Sequence, residues 1–237
     1  MEPFEYALMD AAEDRMWWYR ALHRRLIDAV ADVRGVVLDA GCGTGGLLAR
    51  LRTERPDLQV VGVEWSAQAA ARASGKSGAP VVRGSVNTLP FADATFAAAV
   101  SADVLCHGGV DPRLALAEIR RVLRPGGRLI TNMPAYAWLL SAHDRQVHNV
   151  RRCTARQLSV LLREAGFTLV RAGYWNSLLL PLMVAQRKLR RRSSAASDVA
   201  SFPPWLDVML HTATEIERRL PFRLPAGGSV MATAERP

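Results

Sequence analysis

Lysine is nearly absent from this 237-residue chain: Lys76 and Lys188 stand alone, and arginine supplies almost all of the 31 basic residues. The formal charge of +9 therefore travels with an arginine- and alanine-heavy bias of the kind GC-rich coding produces, which weakens it as an argument for a polyanionic partner. Cysteine is scarce as well. Cys42, Cys106 and Cys153 have neither paired nor metal-ligand spacing, so neither a disulfide framework nor a zinc site is expected. No uninterrupted apolar run reaches the roughly 20 residues of a membrane span. The opening Met1-Glu2-Pro3-Phe4-Glu5 lacks the basic region and apolar core of a secretory signal. The expected location is cytoplasmic, with no metal.

With 49% hydrophobic residues, the chain is long enough to bury a large core, and its length suits a single α/β domain with an added cap. Its most informative stretch is Val36-Val37-Leu38-Asp39-Ala40-Gly41-Cys42-Gly43-Thr44-Gly45-Gly46. A short β-branched run passes into clustered glycines, and Leu47-Leu48-Ala49-Arg50-Leu51 resumes at helical spacing, so the glycines join a strand to a helix. Glycine there permits a tight turn and lets a ligand approach the backbone N–H groups. Gly41, Gly43 and Gly46 also satisfy the dinucleotide pattern, with Glu64 where a ribose-binding acid is expected. Asp39 separates the cofactors. A carboxylate facing the turn suits a ligand with an ammonium group and suits a pyrophosphate poorly, which favours S-adenosylmethionine over NAD.

The run Leu38 to Gly45 resembles the first motif of the class I S-adenosylmethionine-dependent methyltransferases, and later segments fall in that family's order. Val60 to Ser66 resembles its second strand, Gly84 to Phe91 the segment edging the adenine, and Phe96 to His107 the fourth strand and its mouth. Leu123-Arg124-Pro125-Gly126-Gly127-Arg128-Leu129 is similar to the turn before the fifth strand. The likeness covers about residues 30 to 176 and the last strand, and lies nearest the small-molecule branch typified by ubiquinone and menaquinone methyltransferases. It implies S-adenosylmethionine as cofactor, with Glu64 on the ribose hydroxyls, Trp65 and Val86 on the two adenine faces, and Ser85 at the adenine edge. Gly41, Cys42 and Gly43 would admit the methionine part, Asp39 would engage its amino group, and Ser101 would complete the cofactor site. Two positions depart from the pattern. Ser85 stands where an acid usually meets the adenine amino group, with Asn87 two residues on, and Cys106 stands where glutamate is frequent.

The alternation of strands near 36–40, 59–63, 80–83, 96–101 and 128–133 with helical stretches argues for a parallel sheet flanked by helices. With Phe167 to Trp175 and Ser229 to Ala234 resembling the sixth and seventh strands, the expected fold is a three-layer Rossmann-like sandwich. Its seven-stranded sheet would be mostly parallel, with an antiparallel last strand and a helical cap. Residues 1–30 form a helical lid, 31–176 with 227–237 the core, and 177–226 an inserted cap in which Ser193 to Pro204 reads as a loop. In the lid, Trp17, Trp18 and Tyr19 either pack the helix onto the sheet or cover the pocket, where aromatic rings exclude water and surround a sulfonium.

Ligands of open parallel sheets bind beyond the C-terminal strand ends, which gathers Asp39, Glu64, Ser85, Ser101 to Asp103 and Asn132 to Trp138 around one crevice. His107, Tyr136 and Trp138 join the lid aromatics as substrate-contacting candidates. Candidate bases cluster after the fifth strand: were 136–148 helical, Asp144 and His148 would share a face, the carboxylate orienting the imidazole, with His143 the neighbouring alternative. The expected partner is a small, partly apolar metabolite methylated at oxygen, carbon or nitrogen. Non-methylating chemistry with the same bound cofactor, such as cyclisation, is the alternative. An RNA-directed enzyme or a non-catalytic binding module ranks last, because the arginines of 187–192 carry no interleaved aromatics. That cluster follows the apolar run Leu178 to Ala185. Segment 178–192 therefore reads either as a buried helix with a solvated end or as a contact to an anionic membrane or lipid-like substrate.

Overall fold

The computed structural model describes residues 3–190 and 203–237, with backbone alone at 3–5, 143 and 186–190. Arg191, Arg192 and residues 193–202 of the loop expected over 193–204 lie outside the described residues. Seven strands form one sheet in the order β3-β2-β1-β4-β5-β7-β6. They are β1 (Val36–Ala40), β2 (Gln59–Glu64), β3 (Val81–Arg83), β4 (Phe96–Ala102), β5 (Leu123–Pro134), β6 (Thr168–Trp175) and β7 (Ser229–Glu235). The first five pair in parallel, and β7 inserts antiparallel between β5 and β6. This is the expected Rossmann-like arrangement. β5 starts earlier than its apolar run, because Leu123 already pairs with Phe96 before a bulge that readmits the strand at Ala98 and Arg128.

The central strands carry small or β-branched side chains buried on both faces, as a parallel sheet covered by helices requires: Phe96 to Ser101 is wholly buried. Two apolar clusters cover the faces. Leu105, Leu116, Ile119, Leu158 and Leu162 pack on one, and Leu22, Leu26, Leu47, Leu48 and Leu51 on the other. The covering helices are α1 (Pro3–Ala12), α2 (Trp17–Ala29), α3 (Gly46–Glu54), α4 (Ala67–Ser77), α5 (Pro112–Val122), α6 (Ala142–Gln146) and α7 (Ala155–Glu164), followed by α8 (Leu180–Arg190) and α9 (Pro204–Arg218). Side-chain caps start several of them: Ser66 on α4, Asp111 on α5, and a reciprocal Thr154–Gln157 box on α7.

α9 docks on α2 through polar contacts. Asp207 accepts from the Trp17 backbone N–H at 2.7 Å and the Arg20 guanidinium at 2.6 Å, and the buried Arg25 donates to the Thr214 carbonyl at 2.7 Å. Arg25 also lies over the Trp175 ring, 4.7 Å from its centroid. Among the described residues no helix is long and apolar enough to cross a membrane, and none of their His, Cys, Asp and Glu side chains group to hold a metal ion.

Candidate active site

The C-terminal ends of β1, β2 and β4 open into a cavity of about 900 Å³. Its floor is the turn after β1, where Gly41, Gly43 and Gly45 take φ of +89°, +55° and +89°. Only glycine adopts such angles at little cost. Gly41 also abuts Val104, since a Cβ there would overlap that side chain, which fixes the mouth of β4 against the turn.

Three acids meet at this floor. Asp39 is 3% exposed, lines the cavity and accepts no hydrogen bond among the described residues. Burial, with Glu64 and Glu13 nearby, pushes its carboxyl up to about 7. Glu64 closes β2, and its carboxylate accepts from the Gly43 N–H at 3.0 Å, the Ser66 N–H at 2.9 Å and the Tyr6 hydroxyl at 3.1 Å. Glu13 accepts from Thr44 Oγ1 at 2.7 Å and Lys76 Nζ at 2.5 Å.

Through Tyr6, Met9 and Glu13, α1 and the residue after it lie across the glycine turn; a Cβ at Gly43 would meet Met9 and one at Gly46 would meet Glu13. Lys76 and Arg72 of α4 hold Asp10 from the other side, at 2.5 and 3.7 Å. These contacts were not anticipated from the sequence, although Tyr6, Met9 and Glu13 follow i, i+3, i+7 spacing, the signature of one helix face.

Asp39, Gly41, Cys42, Gly43, Glu64, Trp65, Ser85 and Val86 all line the cavity. Trp65 is 71% exposed at its rim, whereas Val86 is buried. Ser85 Oγ accepts from the Asn87 N–H at 3.1 Å, and Asn87 is spent on Gly109 and Asp111, so this edge is neutral. Ser101 does not reach the cavity: its side chain points into the sheet packing, fully buried and with Oγ unbonded.

The far wall is apolar, with Trp17, Trp18, Tyr19, Leu22 and Leu26 from α2 and Met183 from α8. Trp18 stacks on Trp175 with centroids 6.1 Å apart. Asn176 and Gly228 close the wall, and His23 lines it with Nδ1 buried and unbonded. Burial and nearby Arg50 and Lys76 press the His23 imidazole down to about 3, so it stays neutral.

A continuous helix over 136–148, on which an Asp144–His148 face would depend, does not form. Tyr136 has φ +57° and His148 φ +59°, and the chain makes a short 3₁₀ turn at Ala137–Leu139 and then the five-residue α6. The Tyr136 ring stacks with Trp138 at 5.6 Å and Tyr174 at 5.3 Å. Neither Tyr136 nor Trp138 lines the cavity. Asp144 lies on α6 and His148 lies past its end, so the two share no helical face. Both its oxygens pair with Arg152, at 2.7 and 3.0 Å, and Ser141 donates to it as well, an ion pair buried on both sides. The arginine and serine hold its carboxyl below the usual range against the opposing effect of burial. His107 lines the cavity and His148 stands exposed beyond it, their rings 5.9 Å apart. His143 lies on α6, at a position where the backbone alone is described.

Residues 38–131 match a protein family described as a methyltransferase domain. The O-methyltransferase resE of Aspergillus sclerotiorum is 33% identical over 184 residues, covering 70% of this chain and 65% of that protein. The ubiquinone/menaquinone biosynthesis C-methyltransferase UbiE of Desulfotalea psychrophila is 34% identical over 128 residues, 52% of this chain and 49% of that one. The chain spans about half the length of the first curated relatives it matches. Among solved structures, the 4+2 cyclase SpnF is 27% identical, with 94% of this chain and 84% of that chain aligned at a TM-score of 0.60.

Proposed function

We infer that this protein, whose residues 38–131 match a methyltransferase domain, is a class I enzyme that transfers the methyl group of S-adenosylmethionine to a small, partly apolar acceptor. The observation that carries the reading is Asp39: a buried carboxyl without a hydrogen-bond donor, beside two further acids, at a glycine turn that admits a ligand. Such a floor fits a ligand with a sulfonium and an ammonium, because positive charge stabilises the ionised Asp39 that burial and, secondarily, the neighbouring Glu64 and Glu13 disfavour. The cofactor, when bound, supplies an activated methyl group on positively charged sulfur.

The chain's own residues then have three tasks. Glu64 accepts the ribose hydroxyls and Asp39 the ammonium. Trp65 and Val86 enclose the adenine, whose edge meets the neutral Ser85. The aromatic wall of α2 excludes water and aligns the acceptor, which matters because in-line displacement gains most from orientation. The mixture of indole, leucine and methionine side chains there supports an acceptor with a sizeable apolar body. Residues 1–30 and 177–226 serve as lid and cap of this one domain. Exposed Leu178, Leu182, Trp205, Val208 and Met209 on the cap favour contact with a lipid-like acceptor or an anionic bilayer, which co-sedimentation with anionic vesicles tests.

Calorimetry with S-adenosylmethionine, followed by detection of S-adenosylhomocysteine over a panel of phenols, quinols and alkaloids, tests the main reading. Absence of cofactor binding would refute it. The likeness to a cyclase favours one second reading, in which the bound sulfonium contributes only charge; product formation without S-adenosylhomocysteine would establish that instead.

A further inference from the structure

Asp103 follows directly on the last residue of β4, at φ +54°, an angle a non-glycine residue adopts at a cost of order 1–3 kcal/mol. Its backbone N–H donates to the Asn132 carbonyl at 3.0 Å, and its side-chain Oδ1 accepts from Asn132 Nδ2 at 2.9 Å. Asn132 is fully buried on β5, and its own Oδ1 accepts from Trp175 Nε1 at 2.7 Å. Trp175 in turn stacks with Trp18 and carries the Arg25 guanidinium over its ring, both side chains coming from α2. One carboxylate oxygen is therefore pinned by a chain of buried partners. The other accepts no hydrogen bond among the described residues, on a residue that lines the cavity.

The position matters as much as the partners. Val104, the next residue, abuts Gly41, so Asp103 sits where the glycine turn meets the acceptor wall. We propose that Asp103 is the general base that takes the proton from a hydroxyl acceptor during methyl transfer. The acceptor oxygen forms a bond to the methyl carbon as the carbon–sulfur bond breaks, its electron pair going to sulfur. The hydroxyl proton passes to the free oxygen of Asp103 and later to water. This rests on the methyl-transfer reading above.

The competing acids and bases are each placed less well. Asp144 is committed to Arg152, Asp39 faces the glycine turn, and His148 is exposed off the wall. His107 lines the cavity, but burial lowers its affinity for a proton. The groups facing Asp103 are the Arg152–Asp144 pair and the Cys106 and Cys153 thiols, both pushed up by burial. Burial likewise lifts the Asp103 carboxyl, to about 7, with the Asn132 hydrogen bond and Arg152 opposing. A base poised there works near neutral pH.

The test is Asp103→Asn, since asparagine tolerates positive φ and can keep the bond from Asn132. Two probe acceptors are compared at pH 8 and saturating S-adenosylmethionine: 1-naphthol, still mostly protonated, and naphthalene-1-thiol, already mostly ionised and in no need of a base. The variant is expected to keep its cofactor affinity by calorimetry, to lose about 100-fold or more of its turnover on the naphthol, and to retain turnover on the thiol. Independently of turnover, infrared titration of the wild type should show two protonated carboxyl bands that fade as pH rises through about 7, one from Asp39 and one from Asp103, and the Asp103 band should be missing in the variant. Equal losses on both probes, no missing band, or a wild type active on the thiol alone would overturn the assignment. A wild type inactive on both probes overturns the methyl-transfer reading beneath it.

Discussion

Replacing Asp39 by asparagine should make the protein more stable and useless at once. The folded, cofactor-free chain holds the Asp39 carboxyl at about 7 against an ordinary value of 3.8, with burial the largest cause and Glu64 and Glu13 the next. A carboxyl whose folded pKa is raised binds a proton more tightly folded than unfolded. Stability from it is full at low pH and is lost as pH climbs from about 4 to about 7. At 1.36 kcal/mol per pH unit the full loss by pH 8 is about 4 kcal/mol. Part of it is shared with the neighbouring acids, which leaves roughly 2–4 kcal/mol for Asp39 alone. Asparagine mimics the neutral carboxyl and escapes this cost. Since each kcal/mol moves the melting temperature of a chain this size by about 2–4 °C, Asp39→Asn should melt roughly 5–15 °C higher than the wild type at pH 8 and close to it at pH 4. Saturating S-adenosylmethionine should raise the wild-type melting temperature and leave that of the variant unmoved. Scanning calorimetry at the two pH values, with and without cofactor, reads all four quantities. A variant that melts at or below the wild type at pH 8 would refute the argument, because it would mean that the folded chain already compensates the Asp39 charge.

Three further outcomes follow from the geometry. Gly41→Ala should lower both stability and cofactor affinity, the latter at least tenfold by calorimetry, because φ +89° disfavours a side chain and the new Cβ overlaps Val104; adding Val104→Ala should relieve the overlap and leave the backbone cost of about 1–3 kcal/mol. Arg152→Ala should cost about 3–5 kcal/mol in chemical denaturation, since it strands the buried Asp144 carboxylate, and pairing it with Asp144→Leu should recover most of that. Tyr6→Phe should tighten S-adenosylmethionine about 2–10-fold in calorimetry by freeing one oxygen of Glu64, for which the hydroxyl and the ribose compete; unchanged affinity would show that the two do not share that oxygen.

Much of this was legible in the residues, and the misses have physical causes. The strand positions followed from short apolar runs bounded by turn residues, and Asp39 stood out because a charge in a buried strand needs a reason. The turn glycines were equally legible, since each occupies an angle few other residues accept. The segment after β5 misled because it is helical only in pieces: a 3₁₀ turn at Ala137–Leu139 and the short α6 replace one continuous helix, and positive φ at Tyr136 and His148 bounds them. The shared helical face of Asp144 and His148 is lost because α6 ends at Gln146, and Arg152, eight residues away from Asp144, holds the carboxylate. Ser101 was assigned to the crevice from its place on the fourth strand, yet alternation along the strand turned it inward. Asp103 was placed at the crevice without a role, because its partners Asn132 and Trp175 come from strands distant in the sequence. The α1 contacts across the glycine turn were readable in principle from the spacing of Tyr6, Met9 and Glu13, but three residues are too few to distinguish a functional face from a packing one.

The insertion of β7 between β5 and β6 has a consequence for how the chain comes off the ribosome. β5 and β6 are synthesised as neighbours in time, but they never touch along their length; each waits for residues 229–235 to supply its missing ladder. Until then a long central strand and its partner both present open edges, the condition that invites pairing with another nascent chain. The same residues bring Gly228 and Ser229 to the cavity wall, so the pocket acquires its last side only when the sheet does. Chains stalled or trimmed before Ser229 are therefore expected to be sticky and incapable of holding ligand, and β7 acts as the checkpoint at which solubility and competence for binding arrive together.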